Sequence, residues 1–273
     1  MLYLRISRIP LRMPVLFLLL AGLLLSGAVS LAQQDEHGEG DKPIHWTYEG
    51  EEGPDHWGDL SQEFALCSAG LAESPIDLTG TTALNLSDIE FDYTETAISI
   101  FNNGHTIQVN VDEGSTITYN GLTYTLLQFH FHRPSEHTVD GEHADMEIHF
   151  VHQDTRSTNL AVVGVLLVAG DPENETGGEA YAPIFDHLPA ETGEPEVVGE
   201  ALDLNTLLPE DRRYTTYNGS LTTPPCSEIV RWLVLAEPVE LSVEQIDAFA
   251  DIHEMNARPV QPLNGRDLLT DSN

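Results

Sequence analysis

Three histidines lie at strand spacing within two apolar runs of this 273-residue chain, in the pattern of a metal-ligand set. The first run is Gln128-Phe129-His130-Phe131-His132. Side chains in a β-strand alternate faces, so His130 and His132 share one face while Phe129 and Phe131 share the other. In the second run, 146–152, the same rule groups Glu147, His149 and Val151 against Ile148, Phe150 and His152. The residues between, 133–146, include Pro134, Ser135, Asp140 and Gly141, which suit a turn between neighbouring antiparallel strands. On that pairing His130, His132 and His149 converge on one point of one sheet face. Three neutral imidazoles with an open fourth position are the donor set of a catalytic zinc site. Gln128 and Glu147, each two residues before a candidate ligand, are placed to accept the free ring N–H and fix its tautomer. Any one of these histidines alone reads as a satisfied or exposed strand residue; the argument rests on all three. His137, His143 and His152 fall in the turn or on the other face and read as structural or solvent-exposed.

Those strands need a sheet around them. Short apolar or alternating runs recur at 97–101, 106–111, 116–119, 122–132, 146–151, 160–169 and 229–235, separated by Gly, Asn, Asp and Pro. This spacing predicts a mainly antiparallel β protein. The run 160–169 is almost wholly apolar, as expected of a strand buried on both faces. Helical pattern is sparse. It is confined to 184–188 and 242–253, the latter with Ser242 as N-cap and Gln245 completing a capping box. The segments 171–178 and 190–199 read as acidic surface loops. No repeat or linker divides 45–270, which is read as one domain.

At the N-terminus Arg5, Arg8 and Arg12 precede an apolar run over 13–25, then small residues and Ser30-Leu31-Ala32. This pattern reads as a signal peptide over 1–32, cleaved after Ala32. The apolar run is shorter than the ~20 residues that span a bilayer, so no membrane association is expected after cleavage. Residues 33–44 read as a flexible acidic lead-in. Three of the 11 basic residues and none of the 45 acidic ones precede residue 33, so the remainder carries 8 against 45, a net charge of −37. Nucleic acid is excluded as a partner, because phosphate binding requires Lys and Arg. Such a surface is acidic and self-repelling. Cys67 and Cys226 are the two cysteines. In an exported chain they pair as a disulfide, with two free thiols as the other reading. The expected location is exported, periplasmic or extracellular.

Further motifs are spread along the chain. They include His45-Trp46-Thr47-Tyr48, Gly53-Pro54-Asp55-His56-Trp57, Ser74-Pro75-Ile76-Asp77 and Asn102-Asn103-Gly104-His105. Others are Ser135-Glu136-His137-Thr138-Val139-Asp140-Gly141, Tyr217-Asn218-Gly219-Ser220-Leu221-Thr222-Thr223-Pro224-Pro225 and Asn256-Ala257-Arg258-Pro259-Val260-Gln261-Pro262-Leu263. With the histidine runs, they resemble the α-class carbonic anhydrases over about residues 45–267, and Arg133-Pro134 with its short insert resembles the bacterial branch. The resemblance implies a mainly β (α+β) single domain. Its centre would be a mostly antiparallel, roughly ten-stranded twisted sheet, with few short helices and zinc in a conical cleft. It implies reversible hydration of carbon dioxide to bicarbonate and a proton by zinc-hydroxide attack, with zinc on His130, His132 and His149. Gln128, Glu147 and the Asn256 carbonyl would orient the ligands. Thr222 would accept the hydroxide proton and donate its own to Glu136, and His105 would shuttle protons. Val151, Val162, Leu221, Thr223 and Trp232 would form the substrate pocket, and Tyr48, Thr106 and Gln108 would line the cleft. A Cys67–Cys226 disulfide and cis peptides at Ser74-Pro75 and Pro224-Pro225 are also implied. The only partners expected are carbon dioxide and bicarbonate, on a monomer or homodimer. Without the resemblance, Thr222 reads as a turn residue, His105 as an exposed loop histidine, and Val162, Leu221 and Trp232 as core. Glu73 departs from the family, in which Gln often precedes Ser-Pro-Ile, and the sequence suggests no role for it.

Overall fold

The computed structural model describes residues 44–171 and 178–273. The signal-peptide reading of 1–32, nearly all of the 33–44 lead-in and most of the 171–178 loop lie outside the described residues.

Fifteen strands are described. In the first half of the chain they are β1 (Thr82–Leu84), β2 (Glu90–Asp92), β3 (Glu95–Asn102), β4 (Ile107–Asn110), β5 (Thr116–Tyr119) and β6 (Leu122–His132). Next come β7 (Thr138–Val139), β8 (Glu142–His143), β9 (Met146–Asp154), β10 (Leu160–Ala169) and β11 (Glu196–Asp203). The last are β12 (Tyr214–Gly219), β13 (Val230–Leu235), β14 (Val239–Leu241) and β15 (Leu269–Asp271). The main sheet runs β1-β15-β12-β13-β10-β9-β6-β4-β3-β11, a path of ten strands; β14 adds to β10, β5 to β6 and β2 to β5. Pairing is antiparallel apart from β1 with β15 and β10 with β13 and β14. The expected mostly antiparallel, roughly ten-stranded sheet is what forms. β7 and β8 make a small separate hairpin inside the insert between β6 and β9.

Alternation explains which face each strand buries. One face carries the main core, where Phe129, Phe131, Ile148 and Phe150 meet Tyr181, Phe185 and Phe249 from the helical segments. The opposite face carries a second cluster built on Val151, Val162, Tyr217 and Trp232. β9 and β10 lie between the two, so both are buried almost throughout, as the apolar run of β10 predicted.

One irregularity sets the orientation of β6. Its pairing with β9 slips between Leu126, opposite His152, and Gln128, opposite Val151, so Leu127 is an extra residue. Before it, even-numbered Tyr124 and Leu126 face the main core; after it, odd-numbered Phe129 and Phe131 do. A bulge that switches parity turns every later side chain to the other face. It places Gln128, His130 and His132 opposite the main core, and it leaves Leu127 exposed.

The helices are short. α1 (Trp57–Leu60) and α2 (Leu66–Ala69), with 3-10 turns between and around them, cover one end of the sheet and were not foreseen. α3 (Ala182–Phe185) lies slightly earlier than the 184–188 expected. α4 (Val243–Ala250) has the Ser242–Gln245 capping box read from the sequence. The 190–199 loop is corrected in part, because residues from Glu196 onward form edge strand β11 against β3. An edge strand with one neighbour needs no clean apolar alternation, so the acidic, largely exposed stretch did not read as a strand. Cys67 and Cys226 form a disulfide across a sequence separation of 159. It ties α2 to the turn after β12, and a closed loop of that size stabilises by about 5 kcal/mol in the chain-entropy account. Cis peptides occur at Ser74-Pro75 and Pro224-Pro225 as expected, and also at Arg133-Pro134. No helix among the described residues is long and apolar enough to cross a membrane.

His152, on the core face of β9, illustrates how the interior treats a titratable group. Its Nδ1 lies 3.2 Å from the Ala161 carbonyl and its Nε2 2.8 Å from the Tyr93 hydroxyl. Nδ1 therefore donates and Nε2 accepts, which satisfies the neutral ring. Burial lowers its pKa to about 3, against an ordinary 6.5. Because the folded pKa is depressed, the unfolded chain takes up the proton first as pH falls. The resulting stability is present above pH 6.5 and lost between about 6.5 and 3, a loss of about 5 kcal/mol from this group. Urea unfolding of His152→Gln should accordingly show a shallower decline over that pH range than the unsubstituted protein.

Candidate metal centre

The antiparallel pairing of β6 and β9 sets His130 directly opposite His149, and His132 opposite Glu147. The rings of His130, His132 and His149 have centroids 5.0, 4.6 and 5.4 Å apart, and one nitrogen from each lies within 4.8 Å of the other two. Two of the rings are anchored from behind by hydrogen bonds, and the third has a carboxylate close by. His130 Nδ1 donates to Gln128 Oε1 at 2.9 Å, and His132 Nδ1 to the Asn256 carbonyl at 2.8 Å. His149 Nε2 stands 2.9 Å from Glu147 Oε1, oblique to the ring N–H but close enough for the carboxylate charge to act. The nitrogens left facing one another are therefore Nε2 of His130, Nε2 of His132 and Nδ1 of His149. His132 Nε2 is buried and has no hydrogen-bond partner. An orphaned lone pair beside two others fits a divalent cation, and neutral imidazoles suit zinc.

Electrostatics disfavours the charged forms of His130 and His132. Burial, then repulsion from His132 and His149, places His130 well below the ordinary imidazole range. Burial lowers His132 as well, despite the nearby Glu136 carboxylate. Burial alone would raise Glu147, but the His137 and His149 rings outweigh it and hold that carboxyl well below the usual range. A second group, His137 with Glu147 and His149, also meets the spacing of a metal site. It is already satisfied internally. Glu147 accepts from the backbone N–H groups of Glu136 and His137 at 2.9 Å each, and from His137 Nδ1 at 2.8 Å. His137 Nε2 meets the Tyr217 hydroxyl at 2.7 Å.

A cavity of about 150 Å³ opens in front of His130 and His132. Tyr48, Thr106, Gln108, Gln128, His105 and Thr223 all line it, together with His130 and His132. Thr106 Oγ1 donates to the Phe131 carbonyl at 2.5 Å, which pins this wall to β6. Burial, reinforced by the Glu136 charge, keeps the Tyr48 hydroxyl well above the ordinary phenol range. Val151, Val162 and Trp232 form one apolar cluster with Leu221 packed on it, and the Trp232 ring lies 4.8 Å from that of His149. Thr223, grouped with this pocket by resemblance, instead faces the cleft.

Thr222 is buried in the turn that follows β12, where Leu221 N donates to the Ser227 carbonyl and Cys226 N to that of Thr223. Glu136 is fully buried, and its Oε1 accepts from the Arg258 backbone N–H at 2.9 Å. Its Oε2 has no hydrogen-bond partner and lies 3.5 Å from His132 Nε2. The Thr222-to-Glu136 hydrogen bond implied by the resemblance is thus not made in this structure.

Comparison with known proteins settles the family. Residues 52–272 match the family model of eukaryotic-type carbonic anhydrase. The chain belongs to the α-class carbonic anhydrases. A carbonic anhydrase of Nostoc sp. is 44% identical over 235 residues, covering 82% of this chain and 85% of that protein. Among solved structures, the α-carbonic anhydrase of Thermovibrio ammonificans, in complex with the inhibitor sulfanilamide, is 42% identical with a TM-score of 0.79. The match covers 84% of this chain and all of that one. The Photobacterium profundum α-carbonic anhydrase, also 42% identical, superposes with a TM-score of 0.77 over 82% of this chain and 100% of its own. α-Carbonic anhydrases are metalloenzymes that hydrate carbon dioxide, and this chain is an enzyme of that family.

Several residues that build this carbonic anhydrase site were not singled out from the sequence. The Trp46 ring stacks on His105 with centroids 3.7 Å apart and planes 6° from parallel. Its place in the His-Trp-Thr-Tyr motif was the available signal. His137, set aside as structural or exposed, is the buried clamp on Glu147. Arg258 supports Glu136 through its backbone. Its guanidinium donates to Glu73 Oε2 at 2.7 Å, and to the carbonyls of Ser74 and Cys67 at 2.8 Å each. Glu73, for which no role was read, is therefore half of a buried ion pair.

Asn256 joins several segments at once. Besides its carbonyl on His132, its side chain accepts from the Arg133 N–H at 2.7 Å and donates to the carbonyls of His105 at 3.0 Å and Phe131 at 2.9 Å. Asn256→Ala would take this partner from the Arg133 N–H and the His105 carbonyl, while the Phe131 carbonyl would keep the Thr106 hydroxyl. Urea unfolding should show a loss of about 2–4 kcal/mol, well beyond an exposed Asn→Ala change.

Proposed function

We propose that the chain catalyses the reversible hydration of carbon dioxide to bicarbonate and a proton, with zinc held by His130 Nε2, His132 Nε2 and His149 Nδ1. The observation that carries this reading is the convergence of three unprotonated ring nitrogens, each backed by an acceptor on its far side. Bound there, zinc would act as a Lewis acid that lowers the pKa of a coordinated water toward neutrality, as the handful of enzymes with this donor set do.

The chain's own groups do the remaining work. Val151, Val162, Leu221 and Trp232 offer an apolar wall beside the histidines, which suits a substrate with no net dipole and no hydrogen to donate. Thr222 would direct attack by accepting a hydrogen bond from the nucleophile, its own hydroxyl turning to donate one to Glu136, a bond not made in this structure. Glu136 is suited to that task because an ionised carboxylate only accepts, and its Oε2 is still unpaired. Gln128, Glu147 and the Asn256 carbonyl hold the ligand tautomers, and Tyr48, Thr106, Gln108 and Thr223 shape the polar side of the cleft. His105, at the cleft mouth, carries the product proton out; burial and the nearby His45 charge set its pKa below the ordinary imidazole value, so it releases a proton readily at neutral pH.

We also infer export, which the basic-then-apolar segment 1–32 and the formed Cys67–Cys226 disulfide support.

Stopped-flow hydration of carbon dioxide, with and without chelator, tests the reading: rapid turnover that chelator abolishes and zinc restores is expected, and chelator-resistant turnover would overturn it. Glu147→Gln should weaken zinc affinity by about 10- to 100-fold in competition with a chelator. In His105→Ala, kcat should fall roughly tenfold or more in dilute buffer, with kcat/KM unchanged and with recovery on adding imidazole.

A further inference from the structure

Behind His105 lies a second cavity, of about 270 Å³, separate from the one in front of the metal ligands. His105, Trp46 and Tyr48 line both, so they form the partition between them. The other polar residues of this rear chamber include His45, Glu49 and His253. Three imidazoles thus border one space roomy enough for a chain of several waters.

His253 follows α4, with its backbone N–H on the Phe249 carbonyl at 2.8 Å and its ring tilted against that of Phe249. Its Nε2 lies 3.2 Å from Asn102 Oδ1. The orientation of that amide is unambiguous, because Oδ1 also accepts from the Gly104 N–H at 2.9 Å while Nδ2 donates to the Ala190 carbonyl. His253 must therefore donate through Nε2, which leaves the lone pair on Nδ1 to accept a proton. Asn102 is also the residue that starts the turn carrying His105, since it binds Gly104 and leads into Asn103, whose Oδ1 takes the N–H groups of His105 and Thr106. The two histidines are in this way mounted on one rigid support. Their charges also feel one another. Burial first, and then the His105 charge, lowers His253; burial, and then the His45 charge, lowers His105.

We propose that the rear chamber is the outward limb of the proton path, in which His105 passes its proton through water to Nδ1 of His253, and the proton leaves from there to buffer. The inference rests on the shuttle role proposed above for His105. In the step, the N–H bond of the His105 imidazolium breaks, an N–H bond forms at His253 Nδ1, and His105 returns to its neutral form with no other change of charge. Mutual repulsion favours a single charge in the chamber at a time, so a proton arriving on one ring pushes the next outward. The groups facing His253 here are His105, His45 and Glu49; His45 is itself paired with Glu52 at 3.1 Å at the exposed rim, where it serves as an alternative receiver. Buffer then need not enter the narrow front cleft.

The test uses the zinc-loaded enzyme. His253→Gln retains an N–H for Asn102 Oδ1 and removes the titrating ring, so a purely structural role for His253 survives the change. In dilute buffer kcat is expected to fall roughly threefold or more, with kcat/KM unchanged and full recovery on adding imidazole. A second readout is independent of turnover. In ring-proton NMR titrations, the His253 midpoint should rise in His105→Ala, and the His105 midpoint should rise in His45→Ala. Undiminished kcat in dilute buffer for His253→Gln overturns the relay, as does a His253 midpoint unmoved by His105→Ala. If His105→Ala loses kcat in dilute buffer while His253→Gln does not, the shuttle stands and the relay falls. If neither loses it, both fall.

Discussion

Two of the three facing imidazoles, His130 and His132, give one ring hydrogen to an acceptor behind them, the third has a carboxylate 2.9 Å from its far nitrogen, and the rest of the site follows from that arrangement. A neutral histidine has one donor and one acceptor nitrogen, so committing the donor leaves the bare lone pair with a single direction. Gln128 and Glu147 reach their partners because they stand two residues earlier on the same strand and so on the same face. The third acceptor is a carbonyl from the far end of the chain, at Asn256. The ligand set is therefore complete only when β6, β9 and the segment after α4 have all come together. Burial adds to this by making the charged forms of His130 and His132 unfavourable, so that their lone pairs remain available.

The sheet keeps the chemistry on one side and the packing on the other. Phe129, Phe131, Ile148 and Phe150 are fully buried on the core face, interleaved with the residues that face the site. A dense apolar layer resists displacement, and it transmits that rigidity to the histidines one residue away along the same strands. The extra residue at Leu127 is what allows both outcomes, because it changes which half of β6 contributes to the core. Site-facing residues are then packed among themselves: His137 meets His149 and Tyr217 edge-on, Trp232 meets His149 edge-on, and Trp232 and Tyr217 lie nearly parallel.

A second support reaches the site from the N-terminal side. Arg258 links the Cys67 carbonyl, Glu73 and Ser74 to Glu136, while the disulfide fastens α2 to the turn holding Thr222. A buried ion pair adds little net stability, since desolvation offsets much of its attraction; what it offers is a single permitted geometry. Here that geometry fixes the carboxylate next to the three facing histidines.

Much of this was legible in the chain because it depends on local repeats. Period-2 alternation identified the shared face of His130 and His132, that of His149, and the opposite face of Phe129 and Phe131, and apolar or alternating runs marked seven of the strands; Ser242 and Gln245 disclosed a helix start through backbone groups only three residues away. The strands of three residues, the acidic edge strand β11 and the bulge at Leu127 left no such trace, since three residues carry no period and an edge needs none. The roles of His137, Glu73, Arg258 and His253 were beyond local reading for another reason. Each depends on partners far off in sequence: Tyr217 for His137, Arg258 for Glu73, and Asn102 for His253. The sequence by itself determined which side chains share a face within an uninterrupted run, because side-chain direction along a regular strand is set by backbone geometry alone. Only the tertiary structure decided which nitrogen of each histidine is left bare and which polar groups meet behind it, because hydrogen bonding depends on where distant segments come to rest.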